Sequence, residues 1–216
     1  MNVECRMLNV GWKRHVCCRN ALVGCIIVLC SPLVASPRPR VSASPDSAVS
    51  ASSDLAEIRK HEQQRIDLIA RAGRSVVCVL TSDRTTGGSG AIITPDGYGI
   101  TNFHVVAPLL ETRRGLGGLS DGKTYPLEVL GIDPTGDLAM FRLTGRDRFD
   151  AAELGDSDAV RVGDQAIAMG NPFMLAEDYA ATATFGHITG VNRYQFGQDA
   201  RSLVYTDSLQ TDASIN

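Results

Sequence analysis

From Ser75 onward the chain is a succession of short β-branched runs, at residues 76–80, 91–94, 98–103, 127–132, 138–143, 165–169, 181–191 and 202–207, cut by Gly, Pro and Asp-Gly. Runs of this length separated by turn residues predict an all-β barrel or sandwich. Asp96-Gly97 is a strong hairpin signal between two of them. No interior repeat and no sustained helical period follows residue 73. The 216 residues, 44% hydrophobic and 21% charged, suffice for one good-sized domain with a real core plus an N-terminal extension.

The extension has its own texture. Residues 1–35 combine Lys13, Arg14, His15 and Arg19 with an apolar run from Ala21 to Cys30 and a small-residue exit at Ser31-Pro32-Leu33-Val34-Ala35. That layout predicts a secretory signal, with an uncleaved anchor or a lipid-modified Cys25 as the alternative ways of meeting a membrane. Five of the six cysteines lie in this stretch, so after cleavage Cys78 has no partner for an intrachain disulfide. Cleavage also removes four basic residues and one acidic residue from the 21 Lys+Arg and 24 Asp+Glu, leaving a net charge of about −6. A surface of that sign argues against nucleic acid or anionic lipid as the main partner.

Residues 36–53 are small and polar and predict a disordered linker. A helix is expected over 54–73, capped by Asp54 with Glu57 three residues on and stopped at Gly73. Leu55, Ile58, Ile66 and Ile69 fall near one face, which predicts a helix lying on the domain, with a homo-oligomer contact as the other use of that face. Arg113-Arg114-Gly115-Leu116-Gly117-Gly118 lacks the Lys-Ser/Thr ending of a phosphate loop and reads as a flexible hairpin loop.

The chemistry-bearing candidates are few. His104 follows Thr101-Asn102-Phe103 and precedes Val105-Val106, so its immediate neighbours favour a buried structural histidine at a strand end. Asp137 closes Asp133-Pro134-Thr135-Gly136 ahead of an apolar strand, where a turn residue is the plain reading. A carboxylate there can also orient an imidazole brought by another strand. His187 alternates along its strand and reads as an outward or cleft-wall side chain. With Cys78 alone, no cluster is left to hold a metal, and no cofactor motif is present.

Several motifs in one order resemble the HtrA/DegP family of trypsin-like serine proteases over about residues 75–216. They are Gly88-Ser89-Gly90-Ala91-Ile92-Ile93, Asp96-Gly97-Tyr98, Thr101-Asn102-Phe103-His104-Val105-Val106, Asp137-Leu138-Ala139, Leu154-Gly155-Asp156-Ser157-Asp158, Arg161-Val162-Gly163-Asp164, Gly170-Asn171-Pro172-Phe173 and Gln210-Thr211-Asp212-Ala213-Ser214-Ile215-Asn216. The resemblance implies a chymotrypsin/trypsin-like double β-barrel, with the first barrel over 74–157 and a partial second barrel over 158–216. It makes His104 the general base and Asp137 the group that fixes its tautomer. The substrates it implies are unfolded or damaged envelope polypeptides in the periplasm.

In that family the nucleophilic serine lies in a Pro-Gly-Asn-Ser-Gly-Gly segment, which follows directly on the stretch resembling Thr211–Asn216. The expectation for the 216 residues as given is therefore no peptide hydrolysis, since serine and oxyanion hole belong to the same turn. Ser89 lies in Gly87-Gly88-Ser89-Gly90, but a strand and a hairpin follow where a nucleophile elbow needs a helix, and Ser208 and Ser214 lack the glycine-rich turn that presents a nucleophile. A non-catalytic relative that binds peptides by strand addition is the alternative function.

Overall fold

The computed structural model describes residues 27–30, 51–84, 87–171, 177–196 and 204–215. The signal over 1–35, except residues 27–30, and the linker over 36–53, except its last three residues, lie outside the described residues. Among the described residues ten strands and two α-helices follow in the order β1 (Ile27–Cys30), α1 (Ala51–Gly73), β2 (Val76–Leu80), β3 (Gly87–Ile92), β4 (Tyr98–Thr101), α2 (Phe103–Val106), β5 (Arg114–Gly118), β6 (Thr124–Asp133), β7 (Leu138–Leu143), β8 (Gln165–Gly170), β9 (Thr182–Phe196) and β10 (Val204–Thr211).

Strands β2–β7 close on themselves in the order β2-β3-β4-β7-β6-β5, every pair antiparallel. The expected hairpin turn is present, with Gly97 at φ +91° between β3 and β4. Along β7 the residues alternate strictly between exposed and buried, the period of a half-buried strand. Ala139, Phe141 and Leu143 point into the barrel, where they join Val77, Val79, Ile92, Leu127, Val129 and Phe149. The second half is an open sheet ordered β1-β8-β9-β10. The fold is thus all-β, trypsin-like, with a closed first barrel and an incomplete second one.

The structure corrects three local expectations. Arg113–Gly118 is not a loop: Arg114–Gly118 forms β5, which pairs with both β2 and β6 and closes the barrel. Its glycines hide it from a propensity reading, yet they are what lets it approach. A Cβ at Gly117 would lie 2.5 Å from Leu143 Cδ2, and one at Gly115 would lie 2.6 Å from the Leu80 carbonyl oxygen. Close packing overrides weak strand propensity here.

Ile27–Cys30, within the apolar run read as part of a signal, forms a strand that pairs with β8 from Ile27↔Met169 to Cys30↔Ala166. Helix α1 begins at Ala51, so Asp54 lies inside it and is not its cap. Only the end of that helix packs: Leu68, Ile69 and Ala72 lie on Val76, Ile167 and Met169, whereas Leu55, Ile58 and Ile66 remain exposed. Finally, β4 stops at Thr101, and His104 stands in the short helix α2 instead of at a strand end.

Candidate active site

The route from sequence to site runs through one ladder. Strand β4 ends where β7 begins, with Thr101 opposite Ala139, so the residues just after β4 stand beside the residue just before β7. Separated by 33 positions, His104 and Asp137 are brought together by that register. The turn that delivers Asp137 is shaped by Asp133, whose Oδ1 accepts the backbone N–H groups of Thr135 (3.0 Å) and Gly136 (3.1 Å). Asp137 itself adopts a left-handed backbone, φ +51°, which Asp tolerates better than most side chains.

Asp137 is 1% exposed and uses both carboxylate oxygens. Oδ2 lies 2.8 Å from His104 Nδ1, and Oδ1 accepts the His104 backbone N–H at 3.0 Å. Burial alone pushes the Asp137 carboxyl up. Hydrogen bonds from the His104 ring and backbone, the His104 charge and the Phe103 amide outweigh it and hold the pKa below the ordinary 3.8. An ionised carboxylate only accepts, so the 2.8 Å contact assigns the ring proton to Nδ1 and leaves Nε2 able to take one. The His104 side chain is 47% exposed, contrary to the buried histidine its apolar neighbours favour. Val105 and Val106 turn inward from α2 while His104 does not.

Among the described residues the other candidate serines and histidines have surroundings of their own. Ser89 is buried in β3, where its Oγ accepts the Asn171 backbone N–H at 2.8 Å and its carbonyl accepts the Thr101 hydroxyl at 2.8 Å. It ties the first barrel to the segment after β8. Ser214 is exposed, and its carbonyl accepts the Thr184 hydroxyl at 2.6 Å. Ser208 is buried in β10. His187, exposed as expected, lines a shallow cleft with Arg65, Gln165, Phe185 and Asp212, and its backbone N–H donates to Asp212 Oδ1 at 2.6 Å. His61 faces Glu57 on α1 at 3.9 Å. Among the described residues no group of three or more His, Cys, Asp or Glu is gathered as metal ligands.

Asn102 is the residue that the motif contains but that sequence reading left without a part. It is buried, and its Nδ2 donates to the Asp137 carbonyl at 3.0 Å and to Asp137 Oδ2 at 3.3 Å. Asparagine directly before a helix ordinarily means a cap, but a run read as strand through Phe103 offers no helix to cap, so the sequence carried no such signal.

A closed antiparallel barrel with a histidine and an aspartate joined at one ladder end, followed by a second antiparallel sheet, defines a trypsin-like peptidase fold. Residues 88–216 match the trypsin-like peptidase domain family, and the chain belongs to it, within the HtrA/DegP group of serine proteases. A probable periplasmic serine endoprotease, DegP-like, from Chlamydia pneumoniae is 40% identical over 129 residues, covering 60% of this chain and 24% of that protein. The periplasmic serine endoprotease DegP of Escherichia coli (strain K12) is 39% identical over 132 residues, covering 60% and 25%. The chain thus spans about a quarter of the length of these relatives. Among solved structures, Deg5 superposes with a TM-score of 0.61 at 28% identity over 73% of this chain and 76% of that one. The HtrA-type protease AlgW with a tripeptide gives 0.58 at 34% identity, over 68% and 46%. No helix among the described residues is long and apolar enough to cross a membrane.

Proposed function

We propose that this chain carries the general-base half of a serine endopeptidase that acts on unfolded or damaged polypeptides in the periplasm. The observation that carries the reading is the 2.8 Å contact between His104 Nδ1 and the buried Asp137 carboxylate. With Nδ1 protonated, His104 Nε2 takes the proton of a serine hydroxyl as its oxygen bonds to the scissile carbonyl carbon. It returns that proton to the leaving amine, and the acyl-enzyme is then opened by water through the same nitrogen. Asp137 stays ionised, holds the tautomer and supports the imidazolium. The periplasmic names of the relatives and the signal-like residues 1–35 support export.

Within this reading Ser89, Ser208 and Ser214 are not the nucleophile: the Ser89 hydroxyl accepts the Asn171 amide in the barrel wall, Ser208 is buried in β10, and the Ser214 carbonyl holds the Thr184 hydroxyl. A serine-directed fluorophosphonate is expected to leave the 216-residue chain unlabelled; labelling that vanishes on His104→Ala would overturn this. In a chain extended through a serine-bearing turn, His104→Ala is expected to abolish peptide cleavage while the fold survives. Cleavage that persisted would remove His104 from the mechanism. One observation favours the second reading, peptide binding by strand addition: the edge of β8 accepts the extended segment Ile27–Cys30. Peptide binding to the chain in the absence of any cleavage after extension would favour it.

A further inference from the structure

By its backbone Asn102 is the N-cap residue of α2, with φ −79° and ψ 150°. An asparagine in that position ordinarily turns its side-chain oxygen onto the free N–H groups of the first helical turn. Asn102 makes no such bond. The N2 amide of the helix, that of His104, goes to Asp137 Oδ1 at 3.0 Å. The cap has been exchanged across the β4–β7 ladder: Asp137 closes the helix that carries His104, and the released Asn102 amide turns back onto Asp137.

We propose that Asn102 is a positioning residue for the His104–Asp137 pair, fixing both the backbone and the carboxylate of Asp137 so that Oδ2 faces His104 Nδ1. The two hydrogens of one Nδ2 group serve the carbonyl oxygen and Oδ2 of the same residue, at 3.0 and 3.3 Å. That bidentate grip holds Asp137 in its left-handed conformation, a backbone that persists only where its surroundings enforce it. It also fills one acceptor direction of Oδ2 and leaves the other for the imidazole. Alanine at 102 strands a buried carbonyl, and aspartate sets a second carboxylate against Oδ2. The proposal rests on the reading of His104 as general base.

The test is long-range proton–nitrogen NMR of the histidine rings and side-chain amides of the 216-residue chain. In the unaltered protein His104 is expected as the Nδ1–H tautomer, and the Asn102 side-chain amide protons are expected to exchange at least tenfold more slowly than those of an exposed asparagine. In Asn102→Ala and Asn102→Asp the Nδ1–H tautomer is expected to lose population and its proton to exchange at least tenfold faster. A merely structural Asn102 would lower the unfolding midpoint and leave the His104 tautomer untouched, and that result overturns the proposal. Should neither variant fold, the unaltered protein still decides: Asn102 amide protons exchanging at the exposed rate refute the grip. Asp137→Asn serves as the control. If His104 keeps its tautomer there, the pair itself has failed, which is distinguishable from a failure of Asn102 alone.

Discussion

His104 and Asp137 meet twice, ring to Oδ2 at 2.8 Å and backbone N–H to Oδ1 at 3.0 Å. Replacing Asp137 by Asn keeps the shape and changes one oxygen into an N–H₂ donor. An amide donor facing Nδ1 drives the proton to Nε2, the nitrogen the proposed reaction needs free. In an extended, cleaving form of the protein, Asp137→Asn is expected to lower kcat about 10⁴-fold with KM little changed. Steady-state kinetics on a peptide substrate measure this, and a loss confined to KM would contradict it.

The same pair makes stability depend on pH. The Asp137 carboxyl titrates below its ordinary 3.8 in the folded chain, because the His104 contacts outweigh burial. Between the folded and unfolded values the unfolded chain binds the extra proton, so stability rises with pH across that window. Its contribution is complete above the unfolded value and is lost as pH falls through the folded one. Urea midpoints are expected to fall more steeply on acidification in the wild type than in Asp137→Asn. Parallel curves would remove Asp137 as the source.

The chain's periodicity made most of the first barrel legible. The alternating β7 and the Asp96-Gly97 turn follow from local chemistry, and both are present. Arg114–Gly118 was illegible because a strand made largely of glycine carries no propensity, and its place depends on what Leu80 and Leu143 leave open. His104 was misread locally for a related reason. Its apolar neighbours do enter the core, but as one face of a helical turn, which frees the histidine for the surface. The pairing with Asp137 came from the family resemblance and not from spacing, because a contact over 33 residues exists only through the β4–β7 register. Asn102 stayed hidden because its cap role is exchanged with a residue on another strand.

Strand β7 offers a direct test of the inside and outside assignments. Phe141 is fully buried, whereas its neighbour Met140 is 38% exposed on the outer face. Phe141→Ala is expected to cost about 3–5 kcal/mol, combining lost transfer energy with a cavity. Met140→Ala should stay within about 0.5 kcal/mol of wild type. Chemical unfolding followed by circular dichroism compares the two, and equal losses would refute the alternation.

Two glycines separate close approach from mere flexibility. Gly117 has Leu143 Cδ2 at 2.5 Å and Val77 Cγ2 at 2.9 Å from the place a Cβ would take, while Gly131 has nothing within 4 Å. Gly117→Ala forces the barrel interior to shift, an overpacking change of about 1–3 kcal/mol. Gly131→Ala is expected to be neutral or slightly stabilising, because it restricts the unfolded chain. A destabilised Gly131→Ala together with an unaffected Gly117→Ala would reverse the account of how β5 closes the barrel.

Cys78 is 1% exposed on β2, and burial pushes its thiol up to about 11. The thiolate is the reactive form, so at pH 8 the folded chain presents almost none of it, and what exists is sheltered from solvent. Iodoacetamide is therefore expected to leave Cys78 unmodified in the native protein and to alkylate it in urea, with peptide-level mass spectrometry separating it from the five N-terminal cysteines. Because opening of β2 breaks its ladders to β3 and β5, native-state labelling of Cys78 should occur only with unfolding of the whole barrel. Its rate should then rise in Phe141→Ala in proportion to the lost stability. Rapid labelling of the folded wild type would show that β2 opens on its own and that the barrel is not one cooperative unit.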